Sequence, residues 1–142
     1  MSRSGPILVI EDDTDDQELL EQAFRELEVP NPRVYFTNCP DAIAYLLKME
    51  SQPFLIFSDM NLPGMNGAEL KRMINGNETL KRKAIPFVFF TTTADRDAVN
   101  EAYKEMSQGF FEKPHDMTRI KKLIGMIVQY WKACKHPNSE WV

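Results

Sequence analysis

The stretch FLIFSDMNLPGMNG, residues 54–67, passes from an unbroken apolar run into a loop, and the predicted fold is built around it. The run 54–57 is typical of a strand buried on both faces. The loop then carries three turn-forming residues before a helical pattern starts: Pro63, Gly64 and Gly67. Asp59 is therefore predicted at the carboxyl end of a buried strand, where open α/β sheets place their sites. A loop aspartate more commonly only hydrogen-bonds its own turn, so Asp59 alone leaves both interpretations open.

Four further apolar runs predict strands at residues 7–10, 34–36, 85–90 and 109–112. Helical patterns begin at Asp15 and Pro40, and three more extend over residues 68–74, 95–106 and 116–133. Five strands that alternate with five helices predict a doubly wound α/β fold, in which a parallel sheet carries helices on both faces. The basic run 81–83 is expected in a solvated loop. The pattern alone leaves the strand order open.

Composition limits the class of protein. The chain has 142 residues, 43% hydrophobic and 27% charged, which fits one globular domain over residues 1–142, with its core over about 6–133 and short polar tails. The net charge of −4 argues against nucleic acid as a direct partner. No apolar run is long enough for a membrane span, and the polar start MSRSGP is unlike a signal peptide, so a cytoplasmic protein is predicted. Cys39 and Cys134 lie in no metal or redox motif; reduced thiols are expected, with one long-range disulfide as the alternative.

Polar side chains follow four of the predicted strands at the points where those strands end. Glu11 and Asp12 follow the first strand and Asp59 the third, while Thr91 follows the fourth and Lys113 the fifth. Because the carboxyl ends of parallel strands meet at one edge of a sheet, we expect these side chains to lie together. The other acids near Glu11 are expected to be helix-start residues, where negative charge is favourable: Asp13, Asp15 and Asp16.

Three carboxylates brought together form a hard, oxygen-rich site that suits Mg²⁺. A carboxylate is also a nucleophile toward phosphorus, and its phosphorylation depends mainly on positioning and charge neutralisation. The Lys113 ammonium and the Thr91 hydroxyl are suitable donors to phosphoryl oxygens. Lys113 is also expected to form a salt bridge to the acidic patch, and it can pair with Asp59 before phosphorylation and with the phosphoryl group afterwards. Other chemistries fit less well, because the sequence has no Gly-rich phosphate loop, no metal-binding spacing around its histidines and no G-x-S-x-G motif.

Four motifs, in this order, resemble those of the receiver domain of bacterial two-component response regulators: ILVIEDD, SDMNLPGMNG, FFTTTAD and EKP. The resemblance covers about residues 7–131 and implies a flavodoxin-like sheet of order 2-1-3-4-5. It implies that Asp59 is the phosphoacceptor. It also implies an Mg²⁺ or Mn²⁺ ion held directly by Asp12, Asp59 and the backbone carbonyl of Asn61, with Glu11 acting through water. A register in which Asp12 and Asp13 form the acid pair is the alternative.

The same resemblance assigns four residues to phosphate binding and switching: Thr91, Thr92, Phe110 and Lys113. Phe110 stands where the family usually has Tyr. It is expected to rotate between buried and exposed positions without the phenolic hydrogen bond. Thr92 is bulkier than the small residue often found at its position, which is expected to slow the access of water or phosphodonor to Asp59.

The resemblance implies a non-enzymatic signalling protein that accepts a phosphoryl group from a sensor histidine kinase or a histidine phosphotransfer protein. With only a short tail after the last helix, it is expected to act by changed protein contacts. The segments PDAIAYLL, TTTAD and EKPHDM resemble single-domain regulators paired with bacteriophytochrome-type kinases, which often dimerise through a surface that would here include Phe110, Tyr103 and Trp131. Two alternatives are less favoured. The complete acid set argues against a phosphorylation-independent adaptor, and Asn61 stands where Mg²⁺-dependent aspartyl phosphohydrolases commonly have a general acid.

Overall fold

Five parallel strands form one sheet in the order β2-β1-β3-β4-β5. The computed structural model describes residues 2–92 and 95–135; Met1, residues 93–94 of the FFTTTAD motif and the predicted tail from 136 lie outside this part. The strands are β1 Ile7–Ile10, β2 Arg33–Phe36, β3 Leu55–Ser58, β4 Phe87–Thr91 and β5 Gly109–Glu112. The predicted doubly wound sheet and its order are thus confirmed.

Each described α-helix begins at an Asn or Asp whose side chain accepts a hydrogen bond from a backbone N–H of the first turn. These six N-cap residues are Asp13, Asn38, Asn66, Asn77, Asp95 and Asp116. The helices that follow are α1 Thr14–Glu26, α2 Cys39–Lys48, α3 Gly67–Gly76, α4 Glu78–Lys83, α5 Arg96–Lys104 and α6 Met117–Ala133. A 3₁₀ turn at Ser2–Ser4 precedes β1.

The described part therefore contains six α-helices, and the predicted number of five was wrong. The additional helix is α4, which includes the basic run that was expected to be a solvated loop. Asn77 starts it by accepting a hydrogen bond from the Leu80 N–H, and Leu80 is buried. Lys83 is buried as well, and its ammonium donates to the backbone carbonyl of Met49. The helical period places Leu80 and Lys83 on one inward face, which explains why a strongly basic segment is ordered here.

Alternate residues along each strand pack into two cores, one on each face of the sheet. One core receives residues such as Leu8, Ile56 and Phe89 and is covered by α2, α3, α4 and α5. The opposite core receives Val9, Phe57 and their neighbours and is covered by α1 and α6. The strands β1, β3 and β4 are buried along their whole length, so they appear as nearly continuous apolar runs that the sequence predicts well. Cys39 and Cys134 are free thiols.

Candidate functional site

Three carboxylates meet at the carboxyl edge of the sheet. The strands β1 and β3 are neighbours, with Ile10 opposite Ser58, so Glu11 and Asp59 lie side by side. The Asp59 N–H donates to the backbone carbonyl of Ile10 at 2.9 Å, which fixes the loop to the strand end. One oxygen from each of Glu11, Asp12 and Asp59 lies within 4.8 Å of the others. Carboxylate oxygens at this spacing fit a hard divalent cation.

Glu11 and Lys113 form a buried ion pair beside this group. The Lys113 ammonium lies 2.6 Å from Glu11 Oε1, and both side chains are less than a tenth exposed. Burial raises the pKa of Glu11 to about 7, although Lys113 opposes that rise. Burial lowers the pKa of Lys113, but the hydrogen bond with Glu11 and the charges of Glu11, Asp16 and Asp59 together outweigh burial, so the pKa is raised overall. The expected salt bridge between Lys113 and the acidic patch is confirmed, but it is formed with Glu11 and not with Asp59.

Asp16 is the second acidic partner of Lys113, at 3.4 Å, and the sequence interpretation did not include it in the site. Asp16 was expected only to support the start of a helix. It lies in the first turn of α1, where its backbone N–H donates to the N-cap carboxylate of Asp13. Its side chain reaches the lysine that follows β5. The signal that could have identified Asp16 was its position in the first helical turn after Glu11 and Asp12. That turn lies at the same edge of the sheet as Lys113.

Two groups in the described part of the chain donate hydrogen bonds to the Asp59 carboxylate. The Thr91 hydroxyl donates to Asp59 Oδ1, and the Asn61 N–H donates to the same oxygen at 3.1 Å. Thr91 is fully buried and is the last residue of β4, not the first residue beyond it. The Lys113 N–H donates to the Thr91 carbonyl at 2.8 Å, so the ends of β4 and β5 are tied together. The structure thus brings together all four predicted strand ends.

The loop after Asp59 is shaped by the start of α3. Asn66 caps this helix and forms a capping box with Glu69. The Gly67 N–H donates to the Met60 carbonyl at 2.8 Å. A Cβ atom at Gly67 would lie 2.4 Å from the Asp59 backbone oxygen and 2.6 Å from Phe89 Cε1. Only glycine therefore allows α3 to begin this close to Asp59.

The remaining predicted residues lie at the margin of the site. Thr92 is exposed and lines a 140 Å³ recess together with Lys113 and His115. Phe110 is half-buried on β5, and its ring centroid is 5.8 Å from that of Phe89, with the planes tilted by 36°. Asn61 lies in the exposed loop after Asp59. Asp13 serves as the cap of α1 and is not one of the three clustered carboxylates.

A model of the family described as the response regulator receiver domain matches residues 7–125. The chain belongs to this family. Two relatives are the probable methanogenesis regulatory protein FilR2 of Methanothrix harundinacea and the response regulator Rcp1 of Synechocystis sp.. FilR2 is 29% identical over 129 residues, 88% of this chain and 82% of FilR2. Rcp1 is 27% identical over 130 residues, 88% of this chain and 87% of Rcp1.

Two solved structures of receiver proteins match the whole architecture. The phosphorylated cyanobacterial phytochrome response regulator RcpA superposes with a TM-score of 0.83 at 27% identity, covering 94% of this chain and 98% of that one. The Mn²⁺-bound form of Rcp1 superposes with a TM-score of 0.80 at 25% identity, covering 94% and 99%. The resemblance seen in the sequence is confirmed, and this receiver domain serves two-component phosphorelay signalling. No helix in the described ranges is long and apolar enough to cross a membrane.

Proposed function

We propose that this receiver domain is a switch controlled by phosphorylation of Asp59. The observation that supports this most directly is the position of the Asp59 carboxylate, which lies beside two further carboxylates and accepts a hydrogen bond from Thr91. An aspartate that only stabilised its turn would need none of these neighbours. The group supplies a nucleophile, a place for a cation and a hydroxyl donor within one small volume.

The site fits Mg²⁺ or Mn²⁺. Asp12 and Asp59 would hold the ion directly, the backbone carbonyl of Asn61 would add a further oxygen, and Glu11 would act through water. When bound, the ion neutralises negative charge on the carboxylates and on the incoming phosphoryl oxygens. The clustered oxygens support this assignment, and the relative Rcp1 has been crystallised in an Mn²⁺-bound form.

The transfer itself uses the residues of this chain. An oxygen of Asp59 attacks the phosphorus of a phosphohistidine, a P–O bond forms, and the P–N bond breaks with its electron pair leaving on the imidazole nitrogen. Thr91 and Lys113 then donate to phosphoryl oxygens. Thr91 thereby exchanges its hydrogen bond with Asp59 for one with the phosphoryl group, and Lys113 weakens its contacts with Glu11 and Asp16. Phosphorylation therefore exchanges existing hydrogen bonds for new ones, which is a local event able to shift a two-state equilibrium.

The proposed partners are a sensor histidine kinase or a histidine phosphotransfer protein, which donate the phosphoryl group, and a downstream protein that recognises the switched surface. The likeness to the phytochrome response regulator RcpA supports a phytochrome-type kinase as the donor. We place the protein in the cytoplasm, as one domain over residues 1–142 that signals by changed protein contacts and pairs with a second copy. We assign it no nucleic-acid or membrane partner, and no enzymatic activity beyond its own phosphorylation and dephosphorylation.

Labelling with radioactive acetyl phosphate in the presence of Mg²⁺ tests the assignment. The wild type is expected to incorporate label, and Asp59→Asn to incorporate none. Asp15→Asn is the matched control, because Asp15 is an exposed acid of the same segment that lies outside the carboxylate group. Chelation of Mg²⁺ should abolish labelling of the wild type and of Asp15→Asn alike. Full labelling of Asp59→Asn would overturn the assignment and favour another acceptor or an adaptor.

Thr92 and Phe110 are proposed to set the lifetime and the output of the switch. Thr92 borders the recess that leads toward Lys113, so Thr92→Ala is expected to hydrolyse its phosphoryl group faster than the wild type. Thr118→Ala, which removes the same atoms from an exposed position on α6, is the control. Equal lifetimes for wild type and Thr92→Ala would remove this role. Phe110 contacts Phe89 in the core and is proposed to turn when Thr91 moves.

A further inference from the structure

A second cleft lies at the amino edge of the sheet, opposite the carboxylate group. It has a volume of about 240 Å³ and is enclosed by α3, α4, the residues that precede β4 and β5, and the end of α6. Its lining includes Lys71, Asn75, Lys81, Pro86, Gln108 and Trp131. Gln108 forms a fixed wall, because its backbone N–H and its side-chain oxygen both hydrogen-bond to the backbone of Phe87. No role in phosphorylation requires this cleft.

Lys71 is the unusual residue of the cleft, because in the described part of the chain its ammonium is buried without a carboxylate counter-ion. It is 7% exposed, donates to Asn75 Oδ1 at 2.9 Å and lies 5.8 Å from the centre of the Phe87 ring. Within residues 2–92 and 95–135, no acidic side chain forms an ion pair with Lys71. Glu105 exerts an attraction on it, but the Glu105 carboxylate is engaged at 3.0 Å by Arg72.

An ammonium group has three N–H donors, and buried charges in proteins are normally paired. Asn75 accepts only one of these donors. The Asn75 amide in turn donates to the backbone carbonyl of Glu105, so it is held in place and offers no negative charge. Burial lowers the pKa of Lys71, which is the direction expected for an ammonium group removed from water, and the charge of Glu105 opposes this only in part. An anion in the cleft would supply the negative charge and the further hydrogen-bond acceptors that the described residues do not provide.

An apolar groove adjoins the cleft and shares Gln108 and Trp131 with it. The groove has a volume of about 390 Å³, and its other lining residues include Phe111, Met126 and Tyr130. Met126 and Tyr130 are both more than half exposed. None of the residues that line the cleft or the groove in the described structure is acidic, although the chain has a net charge of −4. The two spaces together present one cationic end and one apolar end.

We propose that the cleft and groove form a binding site for a small organic anion, which has a carboxylate, sulfonate or phosphate group attached to an apolar body. The anionic group pairs with Lys71, with Lys81 at the mouth of the cleft. The apolar body lies against Trp131 and continues into the groove. Charge complementarity and the shared lining residues carry this assignment, which goes beyond the phosphorylation of Asp59 and does not depend on it.

A pair of fluorescent probes tests the site in the full chain. Anilinonaphthalene sulfonate is an aromatic anion, and phenylnaphthylamine is its uncharged counterpart. The wild type is expected to bind the anion more tightly than the neutral probe. Lys71→Met should weaken anion binding about tenfold and leave the neutral probe unaffected, because the lost interaction is a hydrogen bond to a charged group. Lys122→Met, which removes the same charge from an exposed position on α6, should bind both probes as the wild type does.

Asn75→Asp is the second variant, because it places a carboxylate beside Lys71 and keeps the shape of the side chain. It should weaken anion binding about as much as Lys71→Met does, for the opposite electrostatic reason. The site is further localised by NMR, in which addition of the anion should shift the amide signals of Asn75 and Gln108. Unchanged anion binding in both cleft variants, equal weakening by Lys122→Met, or shifts centred on Asp59 would each overturn the proposal.

Discussion

Lys113 and Lys71 occupy opposite edges of the same sheet, and both are 7% exposed. Lys113 has two carboxylate partners, and its pKa is raised. Lys71 has an amide oxygen and an aromatic ring, and its pKa is lowered by burial. The comparison teaches that burial alone does not decide how an ammonium behaves. The charge of the partner decides the direction of the pKa shift. The carboxyl edge of the sheet provides carboxylates, and the amino edge provides a neutral amide and an aromatic ring.

The comparison is tested most strongly by replacing each lysine with Met. Lys113→Met leaves Glu11 buried without its cation, so the free energy of unfolding is expected to fall by about 3 kcal/mol. Lys71→Met removes a charge that is held by an amide oxygen, so it is expected to be neutral or to stabilise by about 1 kcal/mol. Urea unfolding of both variants measures the difference. Equal losses in the two variants would contradict the distinction drawn between the two edges.

Two glycines, one at each end of α3, allow the two edges of the sheet to be compared by changes close to the backbone. Gly67→Ala brings Cβ against the Asp59 carbonyl, so we expect a loss of about 2–3 kcal/mol and slower phosphorylation. A Cβ atom at Gly76 would meet no described atom within 4 Å, so Gly76→Ala should be neutral or stabilise by about 0.5 kcal/mol. Urea unfolding and acetyl phosphate labelling give both results. Wild-type labelling by Gly67→Ala would mean that the acceptor loop tolerates displacement.

The smallest expected effect is a dependence on pH that arises from Lys71. Because its pKa is lowered in the folded protein, the unfolded chain keeps this proton to higher pH than the folded chain does. Stability therefore rises with pH in the interval just below the ordinary lysine pKa of 10.5. The difference in unfolding free energy between wild type and Lys71→Met should shift in favour of the wild type across this interval. A flat difference would show that Lys71 titrates like an exposed lysine.

The sheet and the residues at its carboxyl edge were predicted from the sequence better than the pairings between their side chains. The strand β1 is buried on both faces and has a continuous apolar run, so it was predicted to the residue. The bounds of β5 were also predicted to the residue, although this strand is only partly buried. The carboxyl ends of parallel strands meet at one edge of a sheet. On that ground alone, Glu11, Asp59, Thr91 and Lys113 were predicted to lie together before any contact was known. The partner of Lys113 depends on side-chain directions across about a hundred residues of chain. No local pattern carries that information.

Charged residues at inward helical positions were the main source of error. The basic run in α4 was interpreted from its charge, although Leu80 and Lys83 lie three residues apart and share a buried face. Lys71 gives the same lesson, since it lies one turn before Ile74 on the buried face of α3. A lysine at an inward-facing helical position can be recognised in the sequence as a candidate for burial. Its long apolar stem allows burial, but the environment of its ammonium group becomes known only from the fold.

The helix α3 starts against the backbone of Asp59 and ends at the cleft, where Asn75 is also bonded to the Glu105 carbonyl at the end of α5. One ten-residue helix thus connects the proposed phosphorylation site at one end with the proposed anion site at the other. Thermodynamic reciprocity then applies: any factor by which phosphorylation changes affinity in the cleft is the factor by which an occupied cleft changes the phosphorylation equilibrium. Under the two proposals, this receiver responds to two inputs, which are phosphoryl transfer to Asp59 and the concentration of the anion in solution.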